Sequence, residues 1–160
     1  MEVEMRIRGL MMDPVTNMPI VLLKESDSET VLPIWVGIYE ANAIALEIEK
    51  VCTPRPMTHD LLKNLLDELQ ATLQRLDITS LSSGTFYAEM HLTTPTGEIH
   101  LSCRPSDGIA LALRTGSPVF AAAAVVDEAG YTIDDDTEAE DVVEQFREFI
   151  DSVDPEDFAS

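Results

Sequence analysis

Three short apolar runs followed by a helical pattern open this chain, and the same order returns after residue 77. That recurrence constrains the fold more than any other feature. Glu2 to Met11 alternates as a strand, Asp13 to Asn17 is a turn, and Pro19 to Lys24 is a second, almost wholly apolar strand. Glu25 to Thr30 reads as a polar hairpin loop and Val31 to Val36 as a third strand. From Tyr39 to Val51, Ala41, Ile44, Ala45 and Ile48 fall on one helical face. The prolines of Thr53-Pro54-Arg55-Pro56 force an extended connection. Thr58 is then expected to cap a helix reaching about Leu73, with Leu61, Leu62, Leu65, Leu66 and Leu69 as a core-facing stripe.

The second series runs Ile78 to Leu81, Gly84 to Thr93, a turn at Thr94 to Gly97, and Glu98 to Cys103, followed by a helix that Gly116 should stop. Setting Ile44-Ala45-Leu46 on Ile109-Ala110-Leu111 also pairs Pro33 to Ile38 with Glu98 to Cys103. The expectation is an α+β fold, a mixed sheet with helices, built from internally duplicated β-β-β-α-α units in one compact domain. Residues 1–126 form that domain. Residues 127–160 are an acidic segment with one helix at about 138–153, carrying Val142, Val143, Phe146, Phe149, Ile150 and Val153, and then a mobile tail.

Charge limits the function. Thirty carboxylates face ten Lys and Arg side chains, a formal net charge of −20. From Asp127 onward there are fourteen acidic residues against Arg147 alone. A surface this acidic repels a phosphate backbone over a Debye length unless cations or salt intervene. No apolar run is long enough to span a bilayer, and the N-terminus lacks the basic-then-apolar order of a secretion signal, so a cytoplasmic protein without membrane association is expected. Cys52 and Cys103, in apolar surroundings and with no CxxC spacing, read as free, mostly buried thiols.

The polar residues able to carry chemistry gather at helix starts: Glu40 in the first, Thr58-His59-Asp60 in the second, Arg104-Pro105-Ser106-Asp107 in the third. Helix starts present unpaired N–H groups and a positive dipole end, which suit capping carboxylates and bound phosphate alike. If the two units pack around a shared axis, Glu40 and Asp107 converge. With His59 they would make an oxygen-rich site for Mg²⁺ or Mn²⁺, while Arg104 and Arg55 could clamp phosphate oxygens. His59 or Asp60 is the candidate base. The alternatives are caps for the carboxylates, an ion pair for Arg104 and a solvated loop for Arg55. His91 and His100, on strands, read as core or surface histidines. Trp35, Tyr39, Phe86 and Tyr87 could stack on bases or belong to the core. No HExxH, Walker loop, GxGxxG or Cys/His zinc spacing occurs.

Four ordered stretches carry a resemblance. They are Leu32-Pro33-Ile34-Trp35-Val36-Gly37 with Glu40-Ala41-Asn42-Ala43-Ile44, Arg55 to Leu62, Gly84-Thr85-Phe86-Tyr87-Ala88, and Arg104 to Ala112. Together they resemble the bifunctional nuclease domain family, in its bacterial or archaeal type. Gly108 stands where the family pattern leads one to expect Ala or Ser after the aspartate. The resemblance implies a mixed α+β fold and cleavage of RNA or DNA, with Glu40, His59, Asp60, Arg104 and Asp107 as site residues and a divalent metal on Glu40 and Asp107. The competing reading is a non-catalytic binding or regulatory domain whose helix-start groove takes a protein partner or a small anion. A third is a structural oligomer whose strand edges at Glu2 to Met11 pair between subunits; a homo-oligomer, a dimer in preference, is expected in any case.

Overall fold

The computed structural model describes residues 1–132. Their order is β1 (Glu2–Met12), β2 (Pro19–Glu25), β3 (Thr30–Trp35), α1 (Ile38–Ile48), α2 (Thr58–Glu68), β4 (Thr72–Ser82), β5 (Thr85–Thr94), β6 (Gly97–Cys103), α3 (Pro105–Thr115), β7 (Val119–Ala122), α4 (Ala123–Ala129) and β8 (Tyr131–Thr132). The expected α+β architecture is present, and the order β-β-β-α occurs twice. The helix expected at 138–153 lies outside the described residues, and α4 runs across the expected boundary at Val126.

All eight strands form one mixed sheet in the order β6-β5-β4-β7-β1-β2-β3-β8. Two antiparallel three-stranded arms, β1-β2-β3 and β4-β5-β6, flank the short β7, which runs parallel to β4 and antiparallel to β1. The arms are tight because their turns are well made. Ser83 and Gly84 both take positive φ (50° and 77°), the geometry that matches strand twist in a two-residue hairpin.

β1 lies inside the sheet order, pairing with β7 over Glu2–Met5 and with β2 over Met5–Met12. Among the described residues the edges are β6 and β8.

One face of the sheet carries the main core. Val21, Leu23, Leu32, Ile34, Leu76 and Ile78 meet Ala41, Ile44, Ala45, Ile109 and Ala110 from α1 and α3. These helices are rich in alanine on the buried side, which lets them lie close together and close to the strands. Gly108 extends the same logic: a Cβ there would run into the Leu76 side chain and crowd Cys103 Sγ, so the departure from the family pattern is a close-packing glycine. On the opposite face Ile20, Leu22 and Val31 form a smaller buried cluster with Met11.

The second helix departs from expectation. It ends at Glu68, because Gln70 turns left-handed (φ 58°) and Thr72 already begins β4, where Leu73 pairs with Leu92. Its first residue, Thr58, is not the cap. Met57 holds that position, and its N–H donates to Asp60 Oδ2 at 3.0 Å. Nor is the leucine stripe core. The helix rests on α3 as an outer layer, so Leu61, Leu62, Leu65 and Leu69 are exposed and Leu66 alone of that stripe packs partly against the core. Cys52 is likewise exposed, and Cys103 half-buried; both are free.

Candidate functional site

Packing α1 and α2 against α3 brings three helix starts together, and the expected convergence of Glu40 and Asp107 occurs there. Arg104, the N-cap residue of α3, joins them. Its Nη2 donates to Glu40 Oε1 at 2.7 Å and its Nε to Asp107 Oδ2 at 2.8 Å. Asp107 Oδ1 lies 2.9 Å from His59 Nε2, so with Asp107 ionised Nε2 is the donor and Nδ1 the acceptor nitrogen of the neutral ring. Burial pushes the Asp107 carboxyl up, but the hydrogen bonds from Arg104 and His59 outweigh it and hold the group below the ordinary carboxylate range. Asp107 is thus an anion at neutral pH, committed on both oxygens. Gly37 makes room for the arrangement, since a Cβ there would collide with the Glu40 carboxylate.

These residues line an open groove of about 270 Å³ together with Tyr39, Asn42, Ala43, Leu46, Met57 and Thr58. Arg104 also borders a second groove of about 310 Å³, whose walls include Trp35, Gly84, Thr85 and Phe86. All four stretches that carry the family resemblance therefore reach the surface around one guanidinium. Trp35, Tyr39 and Tyr87 are exposed and Phe86 is half-buried, so the expectation of core aromatics fails at the first three; Trp35 is steadied by donating from Nε1 to Asp13 Oδ2 at 3.1 Å.

Two of the sequence candidates lie elsewhere. Arg55 is exposed on its loop and lines neither groove. Asp60, expected as a possible base, is occupied in holding helices together: Oδ2 accepts from Met57 N–H and Oδ1 from Arg114 Nε at 2.6 Å. Burial raises the Asp60 carboxyl, yet the Arg114 and Met57 hydrogen bonds outweigh it and keep its pKa below the ordinary value.

Sequence reading missed Arg114. Its side chain is 3% exposed, and besides Asp60 of α2 it donates to the Ala110 carbonyl of α3 and the Ala43 carbonyl of α1, so one guanidinium ties the three helices that carry the site. The available signal was a lone cation ending the apolar run Ile109 to Leu113. Burial, helped by the Asp107 and Glu89 charges, pushes the thiol of Cys103, beside α3, up to about 11.

The expected Mg²⁺ or Mn²⁺ ligands, Glu40 and Asp107, do not fit a metal as they stand. The positive charge between them is Arg104, and the two Asp107 oxygens already accept hydrogen bonds. Among the described residues, the group whose donor atoms cluster closely enough for a metal ion is Glu89, His91 and His100, on β5 and β6.

A model of the bifunctional nuclease domain matches residues 21–134, across the whole of this site. The chain belongs to the bifunctional nuclease domain family. Within or beside that family it is 43% identical to a Mycobacterium tuberculosis protein described as uncharacterized, over 97% of each chain. It is 26% identical to bifunctional nuclease 1 of Oryza sativa subsp. japonica, over 67% of this chain and 33% of the rice protein. Bifunctional nuclease 2 of the same plant is 31% identical over 62% of this chain and 32% of its own length. The bifunctional nuclease domain here thus has full-length similarity to a bacterial protein and partial similarity to longer plant proteins named as nucleases. Among the described residues no helix is long and apolar enough to cross a membrane.

Proposed function

We propose that this member of the bifunctional nuclease domain family cleaves phosphodiester bonds of single-stranded RNA or DNA in the groove where the three helix starts meet. The observation that carries the reading is Arg104, placed between two grooves, one walled by Tyr39 and the other by Trp35 and Phe86. A strand crossing that ridge could stack bases on either side while its phosphate takes the guanidinium fork from the two carboxylates. His59 Nδ1 then removes a proton from the attacking water. As the new P–O bond forms and the old one breaks, the imidazolium returns the proton to the leaving oxygen. Asp107 holds the ring in place and stabilises its charge, and Arg104 stabilises the charge growing on the phosphate.

No step is routed through Mg²⁺ or Mn²⁺, whose expected ligands are held by Arg104, and metal dependence is a question for the assay. Labelled single-stranded RNA and DNA should be offered to the pure protein with Mn²⁺, Mg²⁺ or EDTA, beside Asp107→Asn. Cleavage should fall by about 10²-fold or more in that variant, the size of a lost general-base arrangement. Undiminished cleavage would sink the assignment of the site.

A second reading, a non-catalytic groove for a small anion or protein partner, is favoured by one observation: the carboxylates are already satisfied and the chain as a whole repels nucleic acid. It predicts no cleavage at any salt concentration, with binding that Arg104→Ala removes. In either case we read the protein as a cytoplasmic homodimer, with the exposed Leu61, Leu62, Leu65 and Leu69 as the surface a second copy covers. Sedimentation should show a dimer that Leu65→Glu converts to monomer; a wild-type monomer would remove that part of the reading.

A further inference from the structure

On the sheet face turned away from α1 and α3, four residues that the groove does not use come together across three strands. Asp77 of β4 pairs with Glu89 of β5, and His91 of β5 pairs with His100 of β6. The carboxylate oxygen Glu89 Oε1 lies 3.3 Å from His91 Nε2 and 3.2 Å from His100 Nδ1. His91 Nε2 also lies 2.8 Å from Asp77 Oδ2, and the two rings stand 4.1 Å apart.

Hydrogen bonds account for this cluster poorly. A neutral or charged His91 has one proton at Nε2, and two carboxylate oxygens face it; satisfying Glu89 Oε1 from both rings would require two adjacent imidazoles to donate to one oxygen. At His91 Nε2 two carboxylate oxygens face at most one proton. A divalent cation resolves the surplus, and the spacing suits one. Tetrahedral bonds of ~2.0–2.1 Å place neighbouring ligand atoms roughly 3.3 Å apart, which matches the 3.3 Å and 3.2 Å from Glu89 Oε1 to the two imidazole nitrogens.

We infer that Glu89, His91 and His100 form a site for a borderline transition-metal ion of the Zn²⁺ or Co²⁺ type. Two imidazole nitrogens and one carboxylate disfavour Mg²⁺ and Ca²⁺, which take all-oxygen shells. Asp77 Oδ2 faces the same His91 Nε2 that a metal would take, so Asp77 competes for that nitrogen rather than orienting the ring from behind. Arg75 donates from Nε to Asp77 Oδ1 at 2.7 Å and also pairs with Glu2, while its guanidinium lies over the Phe120 ring, which holds Asp77 in place. Three protein ligands leave a fourth position, and because His100 is half-exposed on the edge strand that position can open to solvent.

The site is independent of the helix-start groove, and the test keeps the two apart. Co²⁺ is titrated into the metal-free full-length chain and followed by visible ligand-field absorption, then displaced with Zn²⁺. One Co²⁺ per chain with the intense bands of a tetrahedral nitrogen-containing shell is expected. His100→Ala should weaken uptake by about 100-fold and Glu89→Gln by about tenfold, taking ligand loss to cost at least the 10- to 100-fold of an outer-shell change. Asp107→Asn should leave it unchanged, whatever it does to cleavage. Glu89→Gln preserves side-chain shape and covers the case in which His100→Ala perturbs the edge strand. No such absorption, or absorption that survives both substitutions, overturns the proposal.

Discussion

The two arms of the sheet share their strand order and hairpin pairing but not their surroundings. In β1-β2-β3, β2 is buried on both faces: Val21 and Leu23 point to the helices, and Ile20 and Leu22 to the smaller cluster. In β4-β5-β6 the helix side holds Leu76, Ile78, Ala88 and Leu92, whereas the other side holds Asp77, Glu89, His91 and His100, and β6 is exposed along almost its whole length. One connectivity therefore yields a sealed arm that stores stability and an open arm that can bear polar chemistry. The difference lies in what the neighbouring layers cover, which the hydrogen-bond ladder does not decide.

Substitutions can break that comparison. Leu23→Ala, at a fully buried position of the sealed arm, should cost about 4 kcal/mol in urea unfolding, the transfer and cavity loss of a core leucine. A loss below about 1 kcal/mol would show that the arm is less sealed than described. Arg114→Ala should follow at about 3 kcal/mol, because a buried cation leaves two carbonyls and Asp60 unpaired. Double-mutant analysis with Asp60→Asn should show strong coupling.

Acid tests the same junction more gently. The folded-state pKa of Asp60 lies below the ordinary aspartate value of 3.8, so its contribution is present above about pH 4, the unfolded carboxylate value, and is lost as pH falls through the folded value. With Asp60 partly solvated, the loss should stay under about 1 kcal/mol. Stability measured between about pH 5 and 2 should fall less steeply in Asp60→Asn. Leu101→Ala, half-exposed on β6, should change stability by under about 0.5 kcal/mol; a larger loss would mean that the open arm is covered in solution, for instance by a partner.

How legible these regions were follows from the same contrast. The sealed β2 announced itself as a continuous apolar run, and the hairpin turns as Gly and Pro punctuation or, between β2 and β3, as the polar Ser26 to Glu29, so most of the strands of both arms could be read directly. The start of β4 could not. Gln70 to Leu76 keeps a spacing that suits the preceding helix, and it is the pairing of Leu73 with Leu92, nineteen residues downstream, that draws the segment into the sheet. The leucines of α2 misled for a related reason: periodicity identifies an apolar face but not the layer that meets it. At the groove, Glu40, His59, Arg104 and Asp107 stood out as polar residues at helix starts. The partner of Asp60 did not, because Arg114 reaches it across fifty-four residues of chain.

The position of β7 has a temporal consequence. Among the described residues this four-residue strand is the one that lies between the arms in the sheet, joining Leu76 to Ile78 on one side and Glu2 to Met5 on the other. During synthesis the first arm emerges from the ribosome long before Val119, and both of its hairpins can close, but one edge of β1 has to wait for more than a hundred further residues. Until Ala122 is out, one edge of Glu2–Met5 stays unpaired, and a strand made late is the one that turns two nascent hairpin sets into a single sheet.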